Sequence, residues 1–307
     1  MAVGRLRLKS LSYDFPPWRP PSEAGSLLLR VTRGCTWNRC TFCSLYKQVS
    51  FQRRPLEEVR TDIKNAASLY SAEVRTVFIG DSNSPSLPIR DFEEILRCLY
   101  AAFPHIERVT SYARSKTLQK KPLDELLRLR TAGLTRLHVG LETGNRELLE
   151  KIQKGSSPEE MIEGCSKAKE TGFELSVYVL LGLGGKELSS AHARDTAAVL
   201  NLINPHFIRV RTLQPQPDSQ LYEDMLAGIF IKAATETVLA EQRMLIEHLD
   251  VTSQYLSDHK TNYVTVDGNF PEDKKAMLQI LDKCITDFAQ DGALQAQCSR
   301  KNALTRL

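Results

Sequence analysis

Three cysteines, Cys35, Cys40 and Cys43, fall within the stretch GCTWNRCTFCSLYK of a chain that contains seven. Thiolates at this spacing take zinc or an iron–sulfur cluster. Three is an awkward number for a four-ligand structural zinc site or for a disulfide framework. A zinc ribbon needs a second Cys-x-x-Cys pair, and the sequence has none. A plant-type ferredoxin also uses Cys-x4-Cys-x2-Cys with a distant fourth cysteine. The next cysteine here, Cys98, stands beside Ile95 and Leu96 in a segment of helical period and reads as a small buried residue. A four-iron cluster held by three thiolates leaves one iron open, which is what separates a catalytic metal site from a structural one. Phe42, just before the last cysteine, adds an apolar wall that shields a cluster or packs a ligand ring. Cys98, Cys165, Cys284 and Cys298 are scattered and read as structural thiols in a reducing compartment.

The elements that must position these thiols follow a regular grammar. Short β-branched apolar runs alternate with longer stretches of helical period, as in βα units around a parallel sheet. Six strands are expected, in SLLLRVT, VRTVFIG, RVTSYA, RLHVGLE, FELSVYVLLG and FIRVRTL. The intervening helices carry their own signals: Pro55 followed by two acids, and Gly133 and Gly172 at helix ends. The expected fold is therefore α/β, a partial (β/α)6 TIM-like barrel with a mainly helical C-terminal extension. Residues 1–25 form a lead-in, 26–218 the barrel and 219–307 the extension. Functional groups of such barrels gather at the C-terminal ends of the strands, and the three cysteines lie just after the first.

The cysteine loop resembles that of the radical S-adenosylmethionine superfamily, although four residues, Thr36 to Arg39, separate the first two cysteines where three is the commonest spacing. The resemblance covers about residues 26–218. The segment HVGLETGNRELLEKIQKG, with VYVLLGLGGKE and TLQPQPDSQLYE, resembles the branch that contains oxygen-independent coproporphyrinogen oxidase and the methylthiotransferases. It implies a [4Fe-4S] cluster on Cys35, Cys40 and Cys43, with S-adenosylmethionine chelating the unique iron. It further implies one-electron cleavage of the cofactor, a 5'-deoxyadenosyl radical that abstracts hydrogen, and oxygen sensitivity. On this basis Gly80 and Asp81 stand in for the family's turn at the cofactor amino group. Ser111 and Arg114 become candidates for the ribose or the methionine carboxylate, Glu142 for the ribose and Lys154 for the carboxylate region. Phe42 completes the cofactor-binding set. An electron donor such as a ferredoxin or flavodoxin is implied as partner.

The substrate is constrained by absences and by two polar segments. No second cysteine cluster is present to hold an auxiliary iron–sulfur centre, which disfavours methylthio transfer and peptide modification. The formal charge of +4 is mild and its basic residues are spread, so nucleic acid is neither excluded nor suggested. The leading expectation is a small-molecule substrate. RNA or protein modification through the basic loop around Lys116, Lys120 and Lys121 is an alternative, and a non-catalytic iron–sulfur or zinc protein is another. The polar insert SDHKTNYVTVDGNFPED offers Ser257, Asp258, His259 and Asn262 as a lid, with Asp258 and His259 as candidate proton donors. The apolar runs are too short to cross a bilayer and no secretory leader is evident, so a cytoplasmic, membrane-free protein is expected.

Overall fold

The computed structural model describes residues 18–70, 73–292 and 295. After a short 3-10 turn, the chain forms β1 (Leu27–Arg30), then β2 (Thr32–Arg33) and β3 (Gln52–Arg53), which pair antiparallel and clamp the base of the cysteine loop between them. The βα units follow. Helix α1 (Leu56–Tyr70) leads to β4 (Thr76–Gly80), α2 (Ile89–Ala102) to β5 (Arg108–Ala113), and α3 (Ser115–Lys120) with α4 (Leu123–Thr131) to β6 (Arg136–Glu142). Next come α5 (Arg146–Lys151) and α6 (Pro158–Glu170) before β7 (Glu174–Leu181), then α7 (Ser189–Ile203) before β8 (Phe207–Thr212). The C-terminal part consists of α8 (Gln220–Leu226), α9 (Thr235–His248), β9 (Gln254–Leu256), β10 (Gly268–Asn269) and α10 (Lys274–Gln290).

The sheet order is β1-β4-β5-β6-β7-β8-β9-β10. Its first six strands are parallel and coincide with the six expected from sequence. β9 adds a parallel strand beside β8, and β10 closes the edge antiparallel. Neither is among the six strands expected from sequence, because two- and three-residue strands leave no periodicity to detect. Helices appear where caps announce them: Ser157 and Glu160 form a reciprocal capping box ahead of α6, and Asn204 ends α7 in the left-handed conformation at φ +44°.

Val77, Ile79, Val109, Leu137, Val139, Val177 and Val210 form one continuous core with Ile63, Leu96, Leu126, Met161 and Ala197 from the helices. Each such buried aliphatic side chain contributes about 1.5–3 kcal/mol through removal from water. Leu245 and Ile246 of α9 and Tyr255 of β9 belong to the same core, so α9 and β9 are packed together with the barrel. Strand alternation leaves the other face to the barrel interior. There Phe78, Tyr112, His138 and Tyr178 stand ring to ring across β4 to β7, at centroid distances of 5.0, 6.1 and 5.6 Å. Beneath them Glu23 is fully buried, its carboxylate 3.2 Å from His138 Nε2 and accepting from Ser26 Oγ at 2.6 Å. Burial opposes the charge of Glu23, but the hydrogen bonds from His138 and Ser26 outweigh it and hold the carboxyl at about 2. His138 is fully buried as well. No helix among the described residues is long and apolar enough to cross a membrane.

Of the cysteines outside the loop, Cys98 lies on α2, Cys165 is buried on α6 and Cys284 lies on α10. Burial pushes the Cys165 thiol up to about 12. Cys298 falls outside the described residues.

Candidate active site

A cavity of about 260 Å³ opens at the C-terminal ends of the parallel strands, and Cys35, Cys40 and Cys43 all line it. The cysteine loop owes its shape to a few local constraints. Gly34 turns the chain at φ +74°, where an added Cβ would meet the carbonyl oxygen of Val49 at 3.0 Å. Asn38 takes a left-handed conformation, donates its amide side chain to the Tyr46 carbonyl at 2.7 Å, and gives its backbone N–H to Cys35 Sγ at 3.4 Å. Lys47 Nζ crosses back to the carbonyls of Asn38 and Cys40, at 3.0 and 3.1 Å. Thr41 anchors the loop through backbone bonds in both directions, from its N–H to the Ile152 carbonyl and from the Leu221 N–H to its own carbonyl.

Trp37 packs this loop against the segment after α5. Its indole N–H donates to the Gln153 carbonyl at 2.7 Å, and Gly155, at φ +71°, leaves room for the ring, since a Cβ there would come within 2.3 Å of it. The guanidinium groups of Arg39 and Arg114 stand over the same ring at 5.2 and 5.0 Å.

Four further residues expected from sequence line the cavity with the cysteines: Phe42, Arg114, Glu142 and Lys154. Lys154 Nζ lies 2.9 Å from Glu142 Oε1 and 5.7 Å from the centre of the Phe42 ring. Glu142 sits at φ +66° where the β6–β7 register shifts between Gly140 and Glu142. A non-glycine residue in that conformation is held there by its surroundings, a form of strain common at functional sites. Burial by itself would lower the Lys154 pKa, but the charges of Glu142 and Cys40 outweigh it and raise it. Burial lowers that of Arg114. Burial raises the Cys40 thiol and carries Cys43 to about 11.

The remaining candidates are placed elsewhere. Ser111 has the opposite strand parity to Tyr112, so it is fully buried away from the cavity and its hydroxyl donates to the Tyr112 carbonyl. Gly80 and Asp81 do not line the cavity either: Asp81 is fully buried, accepting from Arg30 Nε at 2.9 Å and from the Tyr46 hydroxyl at 3.3 Å. Its neighbour Ser82 faces the cavity instead and donates to the Gly34 carbonyl. The segment from Ser257 to Asn262 is a strut, not a lid. Asn262 donates to the carbonyls of Val210 and Ser257 and accepts from Thr212 Oγ1, which ties the segment to the end of β8. Asp258 and His259 do not reach the cavity wall; His259 stands behind Arg211, which does.

Asn83 was not legible from sequence. Its Oδ1 accepts the Arg114 backbone N–H at 3.0 Å, and its Nδ2 donates to Thr36 Oγ1 and Thr117 Oγ1, at 3.1 and 2.8 Å. One buried amide thus connects the cysteine loop, the end of β5 and α3. Of the basic loop, Lys116 pairs with Glu160 and Lys121 with Glu125, while Lys120 is exposed.

The donor set suits an iron–sulfur cluster. Three thiols of one loop face a common cavity, one of them receiving a backbone N–H as cluster sulfurs commonly do. Among the described residues, no three His, Cys, Asp or Glu side chains converge as ligands of a single ion would.

A family model described as the radical SAM superfamily matches residues 29–195. The heme chaperone HemW of Bacillus subtilis is 26% identical over 196 residues, covering 62% of this chain and 51% of that protein. The GTP 3',8-cyclase of Vibrio atlanticus is 27% identical over 205 residues, covering 64% of this chain and 56% of that protein. The chain therefore spans about half the length of these curated relatives. Coproporphyrinogen III oxidase from Escherichia coli superimposes with a TM-score of 0.51 at 18% identity, over 89% of this chain and 58% of that one, a likeness of fold. With the match covering more than half of its length and the three-cysteine loop at the mouth of a partial barrel, the chain belongs to the radical SAM superfamily.

Proposed function

We propose that this protein is a radical S-adenosylmethionine enzyme in which Cys35, Cys40 and Cys43 ligate a four-iron cluster and the cofactor takes the open iron. The observation that carries the reading is that all three loop thiols line one cavity at the strand ends together with Phe42, Arg114, Glu142 and Lys154. When bound, the cluster and cofactor supply one-electron cleavage of the sulfonium, and with it hydrogen abstraction from a substrate. The chain's own residues bind and orient. Lys154 and Arg114, cations of the cavity lining, would meet the cofactor carboxylate, while Glu142, already ion-paired to Lys154, would accept from the ribose hydroxyls. Phe42 and the Tyr112–His138–Tyr178 wall exclude water, which keeps the reacting groups from competing hydrogen donors. A cavity this size fits a small-molecule substrate.

Similarity to a heme chaperone supplies a second reading, non-catalytic porphyrin binding in the same cavity. His138 is a poor axial ligand for it, because its ring is buried with Nε2 against Glu23.

The test is anaerobic reconstitution with iron and sulfide, followed by S-adenosylmethionine and a strong reductant, with 5'-deoxyadenosine measured by mass spectrometry beside Cys40→Ala. Release by the wild type alone supports the enzyme. A wild type that forms the cluster, binds heme tightly and never cleaves the cofactor supports the chaperone reading instead.

A further inference from the structure

The cavity has a second polar end that the cofactor-facing residues leave unused. It lies at the exit of β8, the last of the six parallel barrel strands. Arg211 and Gln214 line the cavity there.

Arg211 donates to His259 Nε2 at 2.8 Å, and among the described residues no carboxylate pairs with it. Because a guanidinium is only a donor, Nε2 accepts here, while Nδ1 lies 2.8 Å from Thr261 Oγ1 and 3.3 Å from the Thr261 backbone nitrogen. Burial, and then the charge of Arg211, hold the His259 pKa at about 4, so the ring is neutral at physiological pH. The histidine thus orients the fork of Arg211 without cancelling its charge. The Ser257–Asn262 strut, pinned to β8 by Asn262, fixes that orientation.

Gln214 is an independent indication. Its Oε1 accepts from Lys232 Nζ at 2.9 Å, which settles which end of the amide is oxygen. Its Nε2 is buried, and no hydrogen-bond partner reaches it. A buried amide donor left unmatched costs free energy until an acceptor arrives. An uncompensated guanidinium and an unmatched N–H₂ at one end of a cavity are complementary to an oxyanion.

We propose that the substrate carries an acidic group, a carboxylate or phosphate, that docks between Arg211 and Gln214 and so holds the rest of the molecule in the cavity between β8 and the cysteine loop. This deepens the radical-enzyme reading and rests on it for the word substrate; the anion site itself is testable without it.

The experiment is calorimetric titration of the anaerobically reconstituted full chain, with and without S-adenosylmethionine, using acetate and inorganic phosphate as probes and acetamide as the uncharged control. The expected result is binding of at least one oxyanion and not of acetamide, weakened about tenfold or more by Arg211→Gln and by Gln214→Leu. Arg211→Lys is expected to retain part of it, and cofactor affinity to stay unchanged in the Arg211 variants. The ratio of acetate to phosphate affinity assigns the chemical class. Failure of both anions to bind the wild type, equal binding by Arg211→Gln, or a loss confined to cofactor affinity overturns the proposal. Deoxyadenosine release from the same preparations keeps the two ideas apart. A protein that binds the anion at Arg211 but never cleaves the cofactor retires the radical reading, and one that cleaves it without any anion site retires this one.

Discussion

Glu142 and Lys154 meet at 2.9 Å across the short helix α5, Glu142 with its backbone at φ +66° and the Lys154 ammonium mostly buried beside Phe42. Glu142→Gln leaves that ammonium without its counter-charge. We expect a loss of about 2 kcal/mol in urea denaturation, since both side chains retain some exposure to water. Glu142→Gln/Lys154→Met should regain part of it, because an unpaired buried charge is what costs most. A single variant as stable as wild type would show that water screens the pair.

Gly155→Ala places a methyl group into the Trp37 ring at a backbone conformation alanine disfavours. The expected outcome is a loss of about 1–2 kcal/mol, a red-shifted Trp37 emission in a Trp18→Phe background, and lower iron content after reconstitution. Unchanged emission would mean the indole is not seated against Gly155.

Asn83 joins three elements through one amide. Asn83→Ala removes all three hydrogen bonds and should cost about 2–3 kcal/mol, with faster iron release to a chelator. Asn83→Asp keeps the acceptor for the Arg114 N–H, and the hydroxyls of Thr36 and Thr117 can turn to donate, so its effect should be smaller. Equal effects would place the importance in the amide N–H₂ and not in the connection to Arg114.

His192 and Glu241 bury a titrating pair outside the cavity, with Nε2 of the first 3.4 Å from Oε1 of the second. Glu241 also accepts from the Gly182 N–H at 2.6 Å and the Ser189 hydroxyl at 2.5 Å. Burial pushes the Glu241 carboxyl up to about 7 and the His192 imidazole down to about 4. The folded state therefore holds an extra proton on Glu241, and that contribution to stability falls as pH rises from about 4.5 to 7. It lacks a proton on His192, and that contribution falls as pH drops from about 6.5 to 4. The two slopes oppose each other over most of this range. Relative to wild type, Glu241→Gln should gain stability with rising pH and His192→Asn should lose it, each by up to about 3 kcal/mol across the interval. Parallel stability curves for the three proteins would remove the linkage.

Periodicity revealed the six barrel strands because apolar runs of four to eight residues must alternate with helices whose apolar faces cover the sheet. It missed β9 and β10, whose pairing is supplied by the neighbouring β8 edge and not by their own composition. Ser111 illustrates the limit of reading a motif without its register. A polar residue at a strand end is legible, but a shift of one residue reverses its face, and here Tyr112 has the cavity side. Asp258 and His259 looked like lid residues because polar sequence resembles a mobile loop, yet Asn262 secures that stretch to β8.

By itself the sequence determined the alternating α/β framework and the three-thiol loop after the first strand, since both are written in local spacing and residue type. Glu142 and Lys154 were also within its reach, because they lie in one continuous segment. Only the tertiary structure decided that Asn83 holds the cysteine loop to β5, that His192 faces Glu241, and that Arg211 reaches the cavity with its charge uncompensated. Those relationships join residues from different strands and helices. Partners so far apart in the chain are chosen by packing and by the need of each buried polar group for a counterpart, which no local pattern records.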